Sequence, residues 1–101
     1  MFTALEFSQF ATSVWAGPAA ASTASVEHYT APSGHKATTY TISYHAGEVC
    51  HYGRAECPFQ AAALAVAHFA TTQPQPIALS AIHHCRRIIE AYQAELSGCH
   101  V

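Results

Sequence analysis

The chain has 101 residues, half of them apolar and only 10% charged, with 4 basic and 6 acidic side chains for a net charge of −2. That length and apolar content fit one domain, residues 1–101, around one hydrophobic core, and exclude a disordered segment. The small charge balance provides no electrostatic footprint for nucleic acid and no basic face for a membrane. A surface so poor in charge favours association, so a protein partner or a homo-oligomer is expected.

The first residues, Met1 to Glu6, lack the basic region and long apolar core of a signal peptide. The expectation is a cytoplasmic protein whose four cysteines stay reduced. Thr3-Ala4-Leu5-Glu6 has the spacing of a capping box, and Phe2 and Phe7 stand where a hydrophobic staple would form around it. Phe7, Phe10, Ala11 and Val14 then recur at helical spacing, predicting a helix over Ala4 to Ala16 that stops at Gly17-Pro18. Trp15 falls near its end, as core or as contact surface.

Pro18 to Ser25 is small and unpatterned and reads as a loop. Val26 to Thr30 is long enough for a short strand, with nothing to say whether it joins a sheet. Thr38 to Tyr44 alternates with period two, setting Tyr40, Ile42 and Tyr44 on one face. Glu48 to Tyr52 is the next strand, and its register depends on the turn at Gly47. A loop of Ala46-Gly47 pairs Tyr44 with Val49. A three-residue loop ending in a left-handed Gly47 pairs Tyr44 with Glu48, Ile42 with Cys50 and Tyr40 with Tyr52. It also gathers the aromatic residues on one face, and it is preferred because its third position needs Gly and the Ala-Gly order suits neither primed two-residue turn well.

Cys57 to Ala70 is apolar nearly all round, interrupted only by Gln60 and His68, and Pro58 suits its first helical position. Such a helix must be covered on several sides. Its Phe59, Val66 and Phe69 stripe is expected against the sheet, and its Ala61 and Ala65 face against another helix. After Gln73-Pro74-Gln75-Pro76, a last helix carries the seam Ala78, Ile82, Cys85, Ile89, Tyr92 and Leu96, widened by Ile77, Ala81 and Ile88, up to Gly98. The predicted fold is α+β in the order α-β-β-β-α-α, a two- to three-stranded antiparallel sheet packed on a central helix with N-terminal and C-terminal helices.

Four constellations carry chemistry. Cys57 opens the central helix, where the dipole favours a thiolate. With His51 or His45 as base and Glu56 to orient it, Cys57 is the one candidate for a cysteine-dependent hydrolase; the competing reading is a small residue at a helix cap. Cys50, Cys57, Cys99-His100 and either His84 or Cys85 offer ligands for a small zinc-stabilised domain, although the C-x6-C spacing is wider than structural zinc sites use. Cys50 and Cys85 also fall on apolar faces, where cysteine acts as a small hydrophobe.

The third constellation is the exposed face of the last helix, Ser80, His83, His84, Arg86 and Arg87. It is too sparsely basic for nucleic acid but suited to a protein contact. The fourth is histidine itself: protonating all eight would move the charge from −2 to +6, the raw material of a pH switch. No phosphate-binding, zinc-protease or serine-hydrolase motif occurs, and no cofactor is expected. The functional expectation is a non-catalytic protein-binding module. In size and format it resembles the inhibitors carried by phages and mobile elements, anti-CRISPR proteins among them, which implies action by steric occlusion.

Overall fold

The computed structural model describes residues 2–18 and 20–96. The capping box forms as its spacing predicts. Thr3 Oγ1 accepts from the Glu6 amide at 3.1 Å, and Glu6 accepts from the Thr3 amide at 2.9 Å. These bonds hold the Glu6 carboxyl below its ordinary pKa. Phe2 reaches over the cap to Phe7, with ring centroids 6.0 Å apart. Helix α1 (Ala4–Ser13) ends three residues before its expected stop. Trp15, freed from the helix, stacks on Tyr44 at 4.2 Å and donates its indole N–H to the Pro18 carbonyl at 2.8 Å.

Three antiparallel strands follow in the spatial order β1-β2-β3, namely β1 (Ala21–Thr30), β2 (Lys36–Ala46) and β3 (Val49–Ala55). Helices α2 (Pro58–Ala70) and α3 (Gln75–Leu96) complete the α-β-β-β-α-α order of a small α+β fold. Tyr40, Ile42 and Tyr44 are buried together, as the alternation of β2 requires. The opposite face leaves Ser25, Glu27, Tyr29 and Tyr52 exposed, the usual one-sided arrangement of an antiparallel sheet. Most of the expected loop before Val26 is strand, because Ala21 to Ser25 complete the pairing of β1 with β2.

The β2–β3 register differs from both expected alternatives. Ala46 pairs with Val49 and Tyr44 with His51, so the loop is Gly47-Glu48. Gly47 has φ +65°, at the first central position where a two-residue hairpin turn needs a left-handed residue. His51 and Gly53 therefore face inward, while Cys50 and Tyr52 face solvent.

Gly53 explains this choice. A Cβ there would lie 2.0 Å from the Ala61 carbonyl oxygen and 2.8 Å from the Ala65 amide nitrogen. The alanine face of α2 thus receives strand β3 and not a helix, which reverses one expectation. The stripe of large residues does not lie simply on the sheet either. Phe59 meets Phe10 of α1 edge-on at 5.6 Å, and Phe69 meets Trp15 at 4.7 Å. Phe2, Phe7, Phe10, Phe59 and Tyr92 form one aromatic cluster. The Tyr44 hydroxyl donates to the Ala11 carbonyl and ties β2 to α1; burial raises its pKa well above the usual phenol range.

Candidate functional site

Along α3 the buried positions are Ala81 and Cys85, with Ile88, Ile89 and Tyr92 packed against the same core. Ala81, Cys85, Ile88 and Tyr92 fall on one face at spacings of four, three and four, with Ile89 at its margin. The core-facing seam keeps Cys85, Ile89 and Tyr92 of the expected one and centres on its Ala81 and Ile88 side. Ile77 and Leu96 are about half exposed, at 49% and 51%. Ile82 and Ile89 also border α2. There, with Ala63, Val66, Ala67, Cys85 and Arg86, they line an open groove of about 320 Å³.

Ser80, His83, Arg86 and Arg87 are exposed on α3, as expected of a contact face. His84 differs from them. It is half-buried, and its Nε2 lies 2.8 Å from the Ser13 carbonyl oxygen. A ring N–H there satisfies one of the carbonyls that α1 leaves open at its C-terminal end. His84 is thus a fastening between α3 and α1, and less available to a partner than its neighbours. Arg86 belongs both to this face and to the groove, so the two adjoin, with exposed Ala63 and Ala67 of α2 across the groove from Arg86.

The second grouping is one that the sequence reading did not assemble. His51 of β3 and His68 of α2 approach with their Nδ1 atoms 3.0 Å apart. His51 is 3% exposed, set edge-on to Phe69 at 5.2 Å and beside Trp15 at 5.8 Å, whereas His68 is exposed. Burial first, and then the neighbouring His68, lower the His51 pKa below its ordinary value. The folded protein thus refuses a proton that the unfolded chain accepts below about pH 6.5.

It follows that stability is lost as pH falls from about 6.5 towards the lower folded value, and is fully present above that window. In chelator, the urea midpoint is expected to fall between pH 7.5 and 5.5, and His51→Asn to show a flatter profile. A flat wild-type profile would contradict the assignment. The depressed Glu6 carboxyl acts in a separate window below about pH 4.5 and does not interfere.

The cysteine readings are dispersed by the fold. Cys57 is the N-cap of α2, half-buried and without a side-chain capping bond. His51 and His45 lie towards the other end of the hairpin, since the four residue steps from His51 to Ala55 span roughly 13 Å. Cys57 shares an open surface pocket with His35, Lys36, Tyr40 and Glu56, among others.

Of the zinc candidates, Cys50 is exposed at the turn end of β3 and Cys57 lies beyond its opposite end. His84 is engaged by Ser13, and Cys99 lies outside the described residues. Among those residues no group of three or more histidine, cysteine or acidic side chains is placed to hold a metal. Cys85 is 3% exposed, and burial pushes its thiol up to about 11, as expected of an inert core residue. Among the described residues no helix is long and apolar enough to cross a membrane.

Against known proteins, no family model, curated protein or solved structure matches the chain.

Proposed function

We propose that this chain is a non-catalytic protein-binding module that docks through the outer face of α3 and the adjoining α2–α3 groove, and acts by covering a surface on a larger assembly. The observation that carries the reading is that surface. It is an apolar depression left open between two helices, with Arg86 at its rim and Arg87 and His83 on the same helix. Arginine beside desolvated apolar contacts is the composition that supplies interface hot spots. The cysteine-hydrolase alternative draws less support, because neither hairpin histidine stands beside Cys57.

The test is a comparison of affinity capture from cell lysate by wild type and by Arg87→Glu, Arg86→Glu and His83→Asp. All three residues are exposed, so each variant is expected to keep its Tm within a few degrees. A partner held through this face is lost at least tenfold in one or more of them. Equal capture by all three places the contact elsewhere. Co-purification of differently tagged copies in the same experiment reads self-association, for which the ten-residue edge strand β1, free of Pro and Lys, offers an outer edge that pairs with no other strand among the described residues.

A further inference from the structure

We infer that His51 and His68 form a two-imidazole site for a late first-row divalent cation of the zinc, nickel or copper class. The two Nδ1 atoms are 3.0 Å apart and belong to different elements, β3 and α2. Two nitrogens bound to one tetrahedral zinc at 2.0–2.1 Å stand about 3.3 Å apart, so the pair needs to open by only a few tenths of an ångström. His51 is held in place by Phe69, Trp15 and the pairing of β3 with β2. His68 is exposed and provides the approach from solvent. One ligand is therefore fixed and the other is free to adjust.

In the metal-free protein one Nδ1–H donates to the other Nδ1. Binding requires the donor ring to move its proton to Nε2, which frees both Nδ1 lone pairs with no net loss of a proton. Neutral imidazole suits zinc, nickel and copper, whereas magnesium and calcium prefer oxygen donors. Two protein ligands leave the remaining positions to water or an outside donor, which makes the ion exchangeable. This site shares no residue with the cysteine-centred zinc set considered from the sequence.

The experiment is thermal unfolding of the full metal-stripped chain at pH 7.5 with zinc, nickel or magnesium chloride added. Zinc and nickel at about a hundred times Kd are expected to raise Tm by roughly 10 °C, and magnesium to leave it unchanged. His68→Ala removes an exposed side chain and abolishes that increment, whatever its own metal-free Tm. Cys50→Ser and His83→Ala keep it. In the wild-type protein, the imidazole nitrogen resonances of both Nδ1 atoms shift on zinc addition. An increment of full size in His68→Ala, its loss in Cys50→Ser, or no increment in wild type overturns the site and leaves the pair a hydrogen bond between α2 and β3.

Discussion

Gly53→Ala is expected to cost about 3 kcal/mol or more, a large share of the 5–15 kcal/mol that roughly sets the stability of a small domain. The added methyl would meet backbone on α2, 2.0 Å from the Ala61 carbonyl oxygen, and backbone has no rotamer by which to withdraw. Relief therefore requires α2 to lift off β3, which opens the core along Ala61 and Ala65, both now fully buried. Two further variants isolate the cause. Ala65→Gly does not rescue Gly53→Ala, because the offending atoms belong to the main chain. Gly47→Ala, where a Cβ meets nothing within 4 Å, costs only about 1 kcal/mol for the left-handed φ of +65°. Chemical denaturation of the four proteins measures all of this, and a Gly53→Ala variant as stable as wild type would refute the close approach.

Phe10→Ala is expected to cost about 4 kcal/mol, lowering Tm by roughly 20 °C. Phe10 is fully buried at the centre of the aromatic cluster. Its ring lies 4.9 Å from Tyr92 and 5.6 Å from Phe59 in edge-on contact, and 5.3 Å from Phe2 in a stacked one. One truncation thus loosens α1 from α2 and α3 together, and the cavity is walled by stiff rings that collapse poorly. Leu5 is five residues back on the same helix but 69% exposed, and Leu5→Ala changes stability by about 0.5 kcal/mol or less. Similar losses for the two variants would mean that α1 docks by another face. Because α1 also receives His84 through Ser13, Phe10→Ala is expected to weaken any partner binding through α3 indirectly, unlike Arg87→Glu, which spares stability.

The proposed docking face and the histidine pair were legible to different degrees. The pattern of α3 pointed to Ser80, His83, Arg86 and Arg87 as exposed, since a helix that buries one face exposes the other. It did not separate His84 from them. That residue finds its partner 71 positions away, and no local periodicity reports a carbonyl at the end of a different helix. His68 was visible as a polar interruption of an apolar helix, and His51 only as a candidate base on the hairpin. Their meeting depended on a register and on a choice of helix face. A signal was available for both: an isolated glycine in a strand pattern marks a close backbone approach, and Gly53 opposite Ala61 and Ala65 satisfies it. Taking Gly53 as inward-facing sets His51 inward as well, two residues earlier.

By itself the sequence determined what depends on neighbours within about four residues. The Thr3–Glu6 capping box, the buried alternation of Tyr40, Ile42 and Tyr44, the start of α2 at Pro58 and the α-β-β-β-α-α order are all set by side-chain reach, pleat period and backbone donors close along the chain. Only the tertiary structure decided the rest. It brought Ala21 to Ser25 into β1, chose the Gly47-Glu48 turn over the alternatives, and laid β3 rather than a helix on the alanine face of α2. It also centred the core-facing seam of α3 on Ala81 and Ile88, and brought His51 to His68. Each was a choice among several locally acceptable arrangements. Such choices are settled by which one closes the core without a void or a clash, and the absence of a single Cβ at Gly53 settled the largest of them.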